Sequence, residues 1–375
     1  MNILKSKVIA LITPDAKNPR NSEGSFIRLD DGRIAYAYSR YIGNTWYDHG
    51  ECEIACIYSY DNGESFDTER IETLVRAEEH GQKNVMSVTL RRMNNGDIGL
   101  FYLLKIHSGG LRTHYYLRRY KGDFSHPCGQ VKTAPTNFPG YYVINNDRVE
   151  KTSDGKWIVP AAYHPTSLCP EESNDPDWCD PRSTVFCFVS EDDGFSWHST
   201  DAKVSLNDPY SKTGLQEPGI VELPRGALYL YSRTDRMYQY ESLSLDGGER
   251  FTPPQPSSFS SPRSPMLIKK NPYNSKYYSV WNPVPEYPGR PTVDGCFLAG
   301  RTPLVIADSD DGMNFSKFAV IEDDPTRGFC YPAMEFIDEH AILIAYCSGG
   351  KEDGGCLNRV TIRKLVISDD SSRIT

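Results

Sequence analysis

The sequence lacks several features that would assign it a class at once. No segment approaches the roughly 20 apolar residues needed to cross a bilayer. The apolar run near the N-terminus, within MNILKSKVIALITPDAKN, is five residues long, too short for the core of a secretory leader. It reads as a first strand, so the expected compartment is cytoplasmic, or extracellular if a leader has been removed. There is no positive excess either: 41 Lys and Arg against 50 Asp and Glu leave a net charge of −9. That argues against a nucleic-acid partner and requires any anionic ligand to be captured by local Arg or Lys against the overall field. Paired CxxC motifs are missing, and the ten cysteines are scattered, so no zinc site is expected. They read as free thiols, with Cys169 and Cys179, flanking the acidic loop CPEESNDPDWC, as the pair to bridge in a secreted chain.

What is abundant is aromatic and turn-forming. The chain of 375 residues carries 24 Tyr, 29 Gly and 26 Pro, a composition for short strands joined by tight turns. Apolar runs broken by turn residues recur at FIRLDDGRIAYAY, LRRMNNGDIGLFYL, VEKTSDGKWIVPAA and IVELPRGALYLYS, with weaker copies at LIKKNPYNSKYYSVW and MEFIDEHAILIAY. Asp-Gly and Asn-Gly between such runs mark hairpins, because tight hairpin turns need positive φ. Six hairpins are expected, with turns near 32, 96, 155, 226, 274 and 339.

A second phrase alternates with the hairpins. Residues 59–66 read SYDNGESF, 190–197 SEDDGFSW, 244–251 SLDGGERF and 308–315 DSDDGMNF. Each has an Asp two residues before a Gly and an aromatic three residues after it, and LRRYKGDFSHP at 117–127 sits where a fifth copy is due. The Ser and Asp side chains can bond a tight turn, Gly can take its left-handed residue, and the aromatic can pack between units. The boxes are therefore staples of the fold rather than catalytic sites. A unit of hairpin, further strand and box turn, repeated six times, predicts an all-β, six-bladed β-propeller. It would form one domain over residues 1–375, its last blade completed from both ends of the chain.

SxDxGxxW/F boxes in this arrangement resemble the sialidase (neuraminidase) superfamily over nearly the whole chain. Fold alone does not fix the activity, since other propellers carry such boxes. The resemblance implies three Arg on the substrate carboxylate, a Tyr nucleophile activated by Glu, and an Asp general acid. Arg20, in NPRNSEGSFIRLDDG, occupies the first Arg position, although the usual Arg-Ile-Pro run is absent. Asp48 is the sole Asp in the loop before the first box and takes the acid position. Glu217 and Arg233 bracket the hairpin in GLQEPGIVELPRGALYLYSRTD. Arg301 lies seven residues before the fourth box and is better placed than Arg263 or Arg290. Tyr331, in RGFCYPAMEF, stands where the nucleophile belongs, and the three Arg are expected to favour its anion.

The chain also departs from the pattern. Cys347 stands about where a Glu should support the first Arg, and Glu23 is the proposed substitute. Asn84, Asn146, Asp147 and His164 are expected to line the pocket and bind hydroxyls and an N-acyl group. The implied activity is release of an α-linked sialic acid or related 2-keto sugar acid by an exo-acting retaining glycosidase, without metal or organic cofactor. Its partner would be an acidic sugar or glycan, with no membrane partner; the oligomeric state is not set. The alternatives are a lyase or intramolecular transferase on an acidic glycan, or a non-catalytic glycan-binding propeller.

Overall fold

The computed structural model describes residues 1–106, 111–133, 140–166, 178–287, 289–290, 300–315 and 317–368; Cys169, and with it the suggested Cys169–Cys179 bridge, lies outside them. The chain is all-β, its only helical turns short 3-10 segments among the described residues. Strands follow one another as antiparallel meanders. The first unit runs Arg20–Arg28, Ile34–Tyr41, Cys52–Ser59 and Asp67–Val75. The second runs Asn84–Arg92, Ile98–Ile106, Arg112–Tyr120 and Pro127–Lys132, and joins the first through the single parallel pair Cys52 and Asn84. In the third, Glu150–Lys151, Trp157–Pro165 and Thr184–Ser190 lead to an outer edge broken into His198–Ser199 and Val204–Ser205, with Gly140–Val143 also on Trp157–Pro165.

The fourth unit is Gln216–Glu222, Leu228–Arg233, Tyr238–Ser244 and Gln255–Ser260, and the fifth Leu267–Lys270, Tyr277–Trp281, Leu304–Ser309 and Phe318–Glu322. The sixth is Cys330–Phe336, Ala341–Cys347 and Val360–Ser368, completed by the N-terminal strand Asn2–Ile12. Both ends of the described chain thus meet in one sheet, as the repeat pattern requires.

All six expected hairpin turns join the first and second strands of their units. Gly32, Gly96, Gly155 and Gly226 each take positive φ there, the conformation that Asn-Gly and Asp-Gly signals specify. The boxes and the 117–127 stretch all join third to fourth strands. In every box a Ser hydroxyl donates to the Asp two residues on, at 2.8 to 2.9 Å, and accepts from the Gly N–H at 2.7 to 3.0 Å. The Asp carboxylate then accepts backbone N–H groups further round the turn. Burial opposes the charge of Asp61, yet bonds from Ser65, Ser59 and the turn backbone hold its pKa at about 2.

The fourth box corrects the reading of its register. Its working residues are Ser309 and Asp311 rather than Asp308 and Asp310, so Ser-to-Gly spacing shrinks by one. Asp308 instead accepts from Lys276.

Burial explains the strand sequences. Most first and second strands are covered on both faces, as is the third strand Cys52–Ser59, every residue of which is buried, whereas third strands such as Arg112–Tyr120 alternate. Outer strands such as Asp67–Val75 are largely exposed. Two-sided burial requires continuous apolar runs such as IGLFYLLKI rather than strict alternation. The core divides into clusters between consecutive units, one joining the first and second and another closing the sixth onto the first. Box aromatics Phe66, Trp197, Phe251 and Phe315 each join the cluster shared with the preceding unit.

Candidate active site

The first strands of the units carry a repeated irregularity. Glu23, Ser87, Asp147, Glu217 and Tyr331 all have φ between +45 and +59, a conformation that costs an L-residue about 1–2 kcal/mol. Four of them sit at register shifts in their strands, between Ser22 and Ser25, Met86 and Thr89, Gln216 and Gly219, and Cys330 and Ala333. A bulge of this kind re-aims a side chain off the face that the pleat would give it. The rings of Tyr36 and Tyr231 pack so closely over Gly24 and Gly219 that a Cβ there would fall 2.2 Å from ring atoms. Glu23, Ser87, Glu217 and Tyr331 thereby open into one cavity of about 570 Å³, shared with Asp48, His164, Arg233 and Arg301.

At its floor the Tyr331 hydroxyl donates to Glu217 Oε1 at 2.7 Å. Arg233 Nη1 lies 2.7 Å from Glu217 Oε2, an ion pair out of hydrogen-bond alignment, while its Nη2 donates to Gln216. Tyr331 is 8% exposed. Burial pushes its hydroxyl well above the ordinary range and the Glu217 charge adds to this, outweighing Arg233 and Arg301. The expectation that the arginines favour a Tyr anion is therefore corrected: the resting Tyr331 is a protonated donor facing a carboxylate.

A second cluster involves Arg20, Glu23 and Asp48. Arg20 is buried, with its guanidinium 4.5 Å over the Tyr41 ring, its Nε donating to Ser22, and Nη1 2.5 Å from Asp48 Oδ1. Glu23 Oε1 lies 3.7 Å from Arg20 Nη2. Burial opposes the charge of Asp48, but Arg20 and Lys105 hold its carboxyl below the usual range. For Glu23 burial prevails over Arg20 and raises the pKa from 4.5 to about 7. The same guanidinium lowers both carboxyls, but it prevails over burial only at Asp48, and the two pKa values are driven apart.

Four of the expected substrate-binding residues do not line the cavity: Arg20, buried in its pairs with Asp48 and Glu23, and Asn84, Asn146 and Asp147. Asn84 is buried and donates to the carbonyls of Asp48 and Gly50, holding the loop that carries Asp48. Asn146 donates to the carbonyls of Gly24 and Pro332, tying the first unit to the sixth. Asp147 takes Arg91 and Lys269 at 2.7 Å each, with Ser25 and the Met334 N–H. The amide nitrogens and this carboxylate are engaged by backbone groups and cations, and the two amide oxygens, buried without a partner, do not line the cavity. His164 does line the cavity; its Nδ1 lies 2.7 Å from the Asp180 carbonyl, and burial lowers its pKa.

The cavity also holds Ser87, Lys105's neighbour Tyr141, Asn145 and Gln216, none of them anticipated, and Arg263, which the sequence ranked behind Arg301. Lys105 Nζ donates to the Asp48 carbonyl at 2.5 Å and lies 5.6 Å from the Tyr141 ring centroid. A signal for Lys105 existed: GLFYLLKI ends in a cation just as ALYLYSR ends in Arg233. A second cavity, of about 580 Å³, lies toward the other ends of the first strands and includes Arg91, Lys269 and Glu150. Arg91 and Lys269 are both paired with Asp147.

The chain belongs to the BNR repeat-like domain family, which it matches over residues 67–342. Its fold is shared with solved structures at low identity. A protein of unknown function from Dyadobacter fermentans aligns with a TM-score of 0.71 at 15% identity, over 98% of this chain and 99% of that one. The NanB sialidase of Streptococcus pneumoniae aligns at 0.67 and 11%, over 96% and 70%. A leech intramolecular trans-sialidase aligns at 0.66 and 12%, over 97% and 71%. No curated protein matches the sequence.

Proposed function

We propose that the chain is a single six-bladed β-propeller over residues 1–375 and an exo-acting retaining glycosidase for a terminal α-linked sialic acid or related 2-keto sugar acid. The closed sequence of inter-unit clusters supports the propeller. The observation that carries the activity is the Tyr331–Glu217 hydrogen bond, 2.7 Å long, beside Arg233 and Arg301 in one cavity. A Tyr is the suitable nucleophile where a substrate carboxylate would repel Asp or Glu. In the reaction Tyr331 oxygen attacks the anomeric carbon as its proton passes to Glu217, and Asp48 protonates the departing glycosidic oxygen. Water then attacks the anomeric carbon, giving its proton to Asp48, as the bond to Tyr331 breaks and the Tyr331 oxygen takes its proton back from Glu217.

Asp48 must be protonated to begin this cycle, yet Arg20 holds it ionised in the free site. The substrate carboxylate resolves the conflict. As it takes over Arg20, Asp48 loses its cation and regains affinity for a proton. Binding of the right anion thus arms the acid.

Release of 4-methylumbelliferone from its α-N-acetylneuraminic acid glycoside tests the reading. Tyr331→Phe is expected to lower turnover at least about 10³-fold while keeping affinity for an unreactive sialic acid analogue within about threefold. A Phe variant with normal turnover removes Tyr331 from the mechanism. An intramolecular transfer is the second reading, favoured by the leech neighbour; product analysis that finds an anhydro sugar instead of the free acid selects it.

A further inference from the structure

Arg301 differs from the other two arginines in what neutralises it. Arg20 has Asp48 and Glu23, and Arg233 has Glu217. Arg301 is 6% exposed, and among the described residues no carboxylate lies within ion-pair distance of it. Its Nη1 instead donates to Cys330 Sγ at 3.2 Å. A guanidinium buried without an anion is strongly disfavoured, and Cys330 Sγ is the atom in contact able to become one.

The sulfur is built for that charge. Cys347 is the cross-strand partner of Cys330. Cys356, on a short turn after the last described glycines, brings its Sγ to 3.2 Å from the same atom. All three are reduced and buried, and with Tyr331 and Leu357 they form one cluster. The Cys330 sulfur therefore accepts from Arg301 and lies in hydrogen-bond contact with the Cys356 sulfur, surroundings that suit a thiolate set between a cation and a thiol.

We propose that Cys330 is a thiolate counter-ion that positions Arg301 for the substrate carboxylate, a role resting on the glycosidase reading above. Burial opposes this charge, while the neighbouring Cys347 and Cys356 thiols and the Arg301 cation overcome it and bring Cys330 well below the ordinary thiol range. Burial first, and then the same charge, raises Cys347 and Cys356, which stay protonated. Cys330 does not touch the reacting atoms. It acts through Arg301, whose guanidinium lies 5.6 Å from the Tyr331 ring.

Thiolate ultraviolet absorbance of the full chain, followed against pH, reads the ion pair without any substrate. Wild type is expected to show one thiolate equivalent at about pH 6, below the ordinary cysteine pKa near 8.5, and Cys330→Ser to lose it. With the fluorogenic sialoside, Cys330→Ser is expected to raise KM about tenfold with kcat within about twofold, and Cys330→Asp, which restores an anion, to recover most of the loss. Should Cys330→Ser not fold, Cys356→Ala, which removes one donor, is expected to move the absorbance signal to higher pH. Absence of the low-pH thiolate, or a folded Cys330→Ser with unchanged KM, overturns the proposal. A wild type that shows the thiolate but cleaves no sialoside overturns the glycosidase reading while the ion pair stands.

Discussion

Asp147, in the turn that leads into Glu150–Lys151, and Glu217, in an inner strand, are both acidic residues in left-handed backbone, and they have opposite fates. Asp147 is saturated: two cations, one hydroxyl and one backbone N–H converge on it from four other units. Glu217 has Tyr331 on one oxygen, while the other faces Arg233 without alignment, and the Nε atoms of Arg233 and Arg301 are buried with no partner. A satisfied buried charge fixes structure; an incompletely satisfied one is held ready for a ligand. The difference lies in the neighbours, since both backbones are strained alike.

Removing the saturated charge is the harshest test of that contrast. Asp147→Ala leaves Arg91 and Lys269 facing each other in the interior, and unfolding stability is expected to fall by about 3–5 kcal/mol. Denaturant titration measures it; a loss below about 1 kcal/mol would mean that the knot is not holding the units together. Tyr331→Phe, in the same experiment, is expected to be nearly neutral.

Glu23→Gln probes the pocket's own electrostatics, with a smaller effect and a defined sign. The native pKa of Glu23 is raised from 4.5 to about 7, so the folded state holds a proton that the unfolded state releases. Its contribution to stability is present below about pH 4.5 and is lost as pH rises through about 7. Gln cannot titrate, so the variant is expected to gain on wild type across that window and to hold a constant lead above it. Asp48 acts in the opposite sense: its lowered pKa adds stability above the ordinary range near 3.8, lost as pH falls further. Stability profiles of the two proteins that run parallel from pH 4 to 8 would contradict the raised pKa.

The smallest effect is expected far from the cavity. Ser59→Ala removes one donor and one acceptor from the first box turn, at a cost of about 1 kcal/mol, with turnover unchanged. A matching loss of activity would show that the boxes do more than staple the fold.

The sequence spelled out the hairpins and the box turns, because each depends on residues within a few positions of one another; the strand that the N-terminus lends to the last sheet, paired with Val360–Ser368, followed instead from the count of repeats. The fourth box slipped by one residue because Asp308, Asp310 and Asp311 all fit the pattern, and only the bonds to Ser309 choose among them. Among polar residues near strand starts, Glu23 and His164 reached the cavity whereas Asn84, Asn146 and Asp147 did not. Composition gave no means of separating them. Their direction follows from a bulge and from whichever groups the adjacent unit presents.

Local chemistry was thus written in the chain: Gly where φ must be positive, Ser and Asp where a turn needs acceptors, continuous apolar runs where both faces are covered. Tertiary structure alone decided convergence and protonation. Tyr331 and Glu217 are 114 residues apart, and the Tyr keeps its proton because burial and that carboxylate prevail over the arginines. Such a balance is a property of distances and desolvation across units, and no short stretch of sequence contains it.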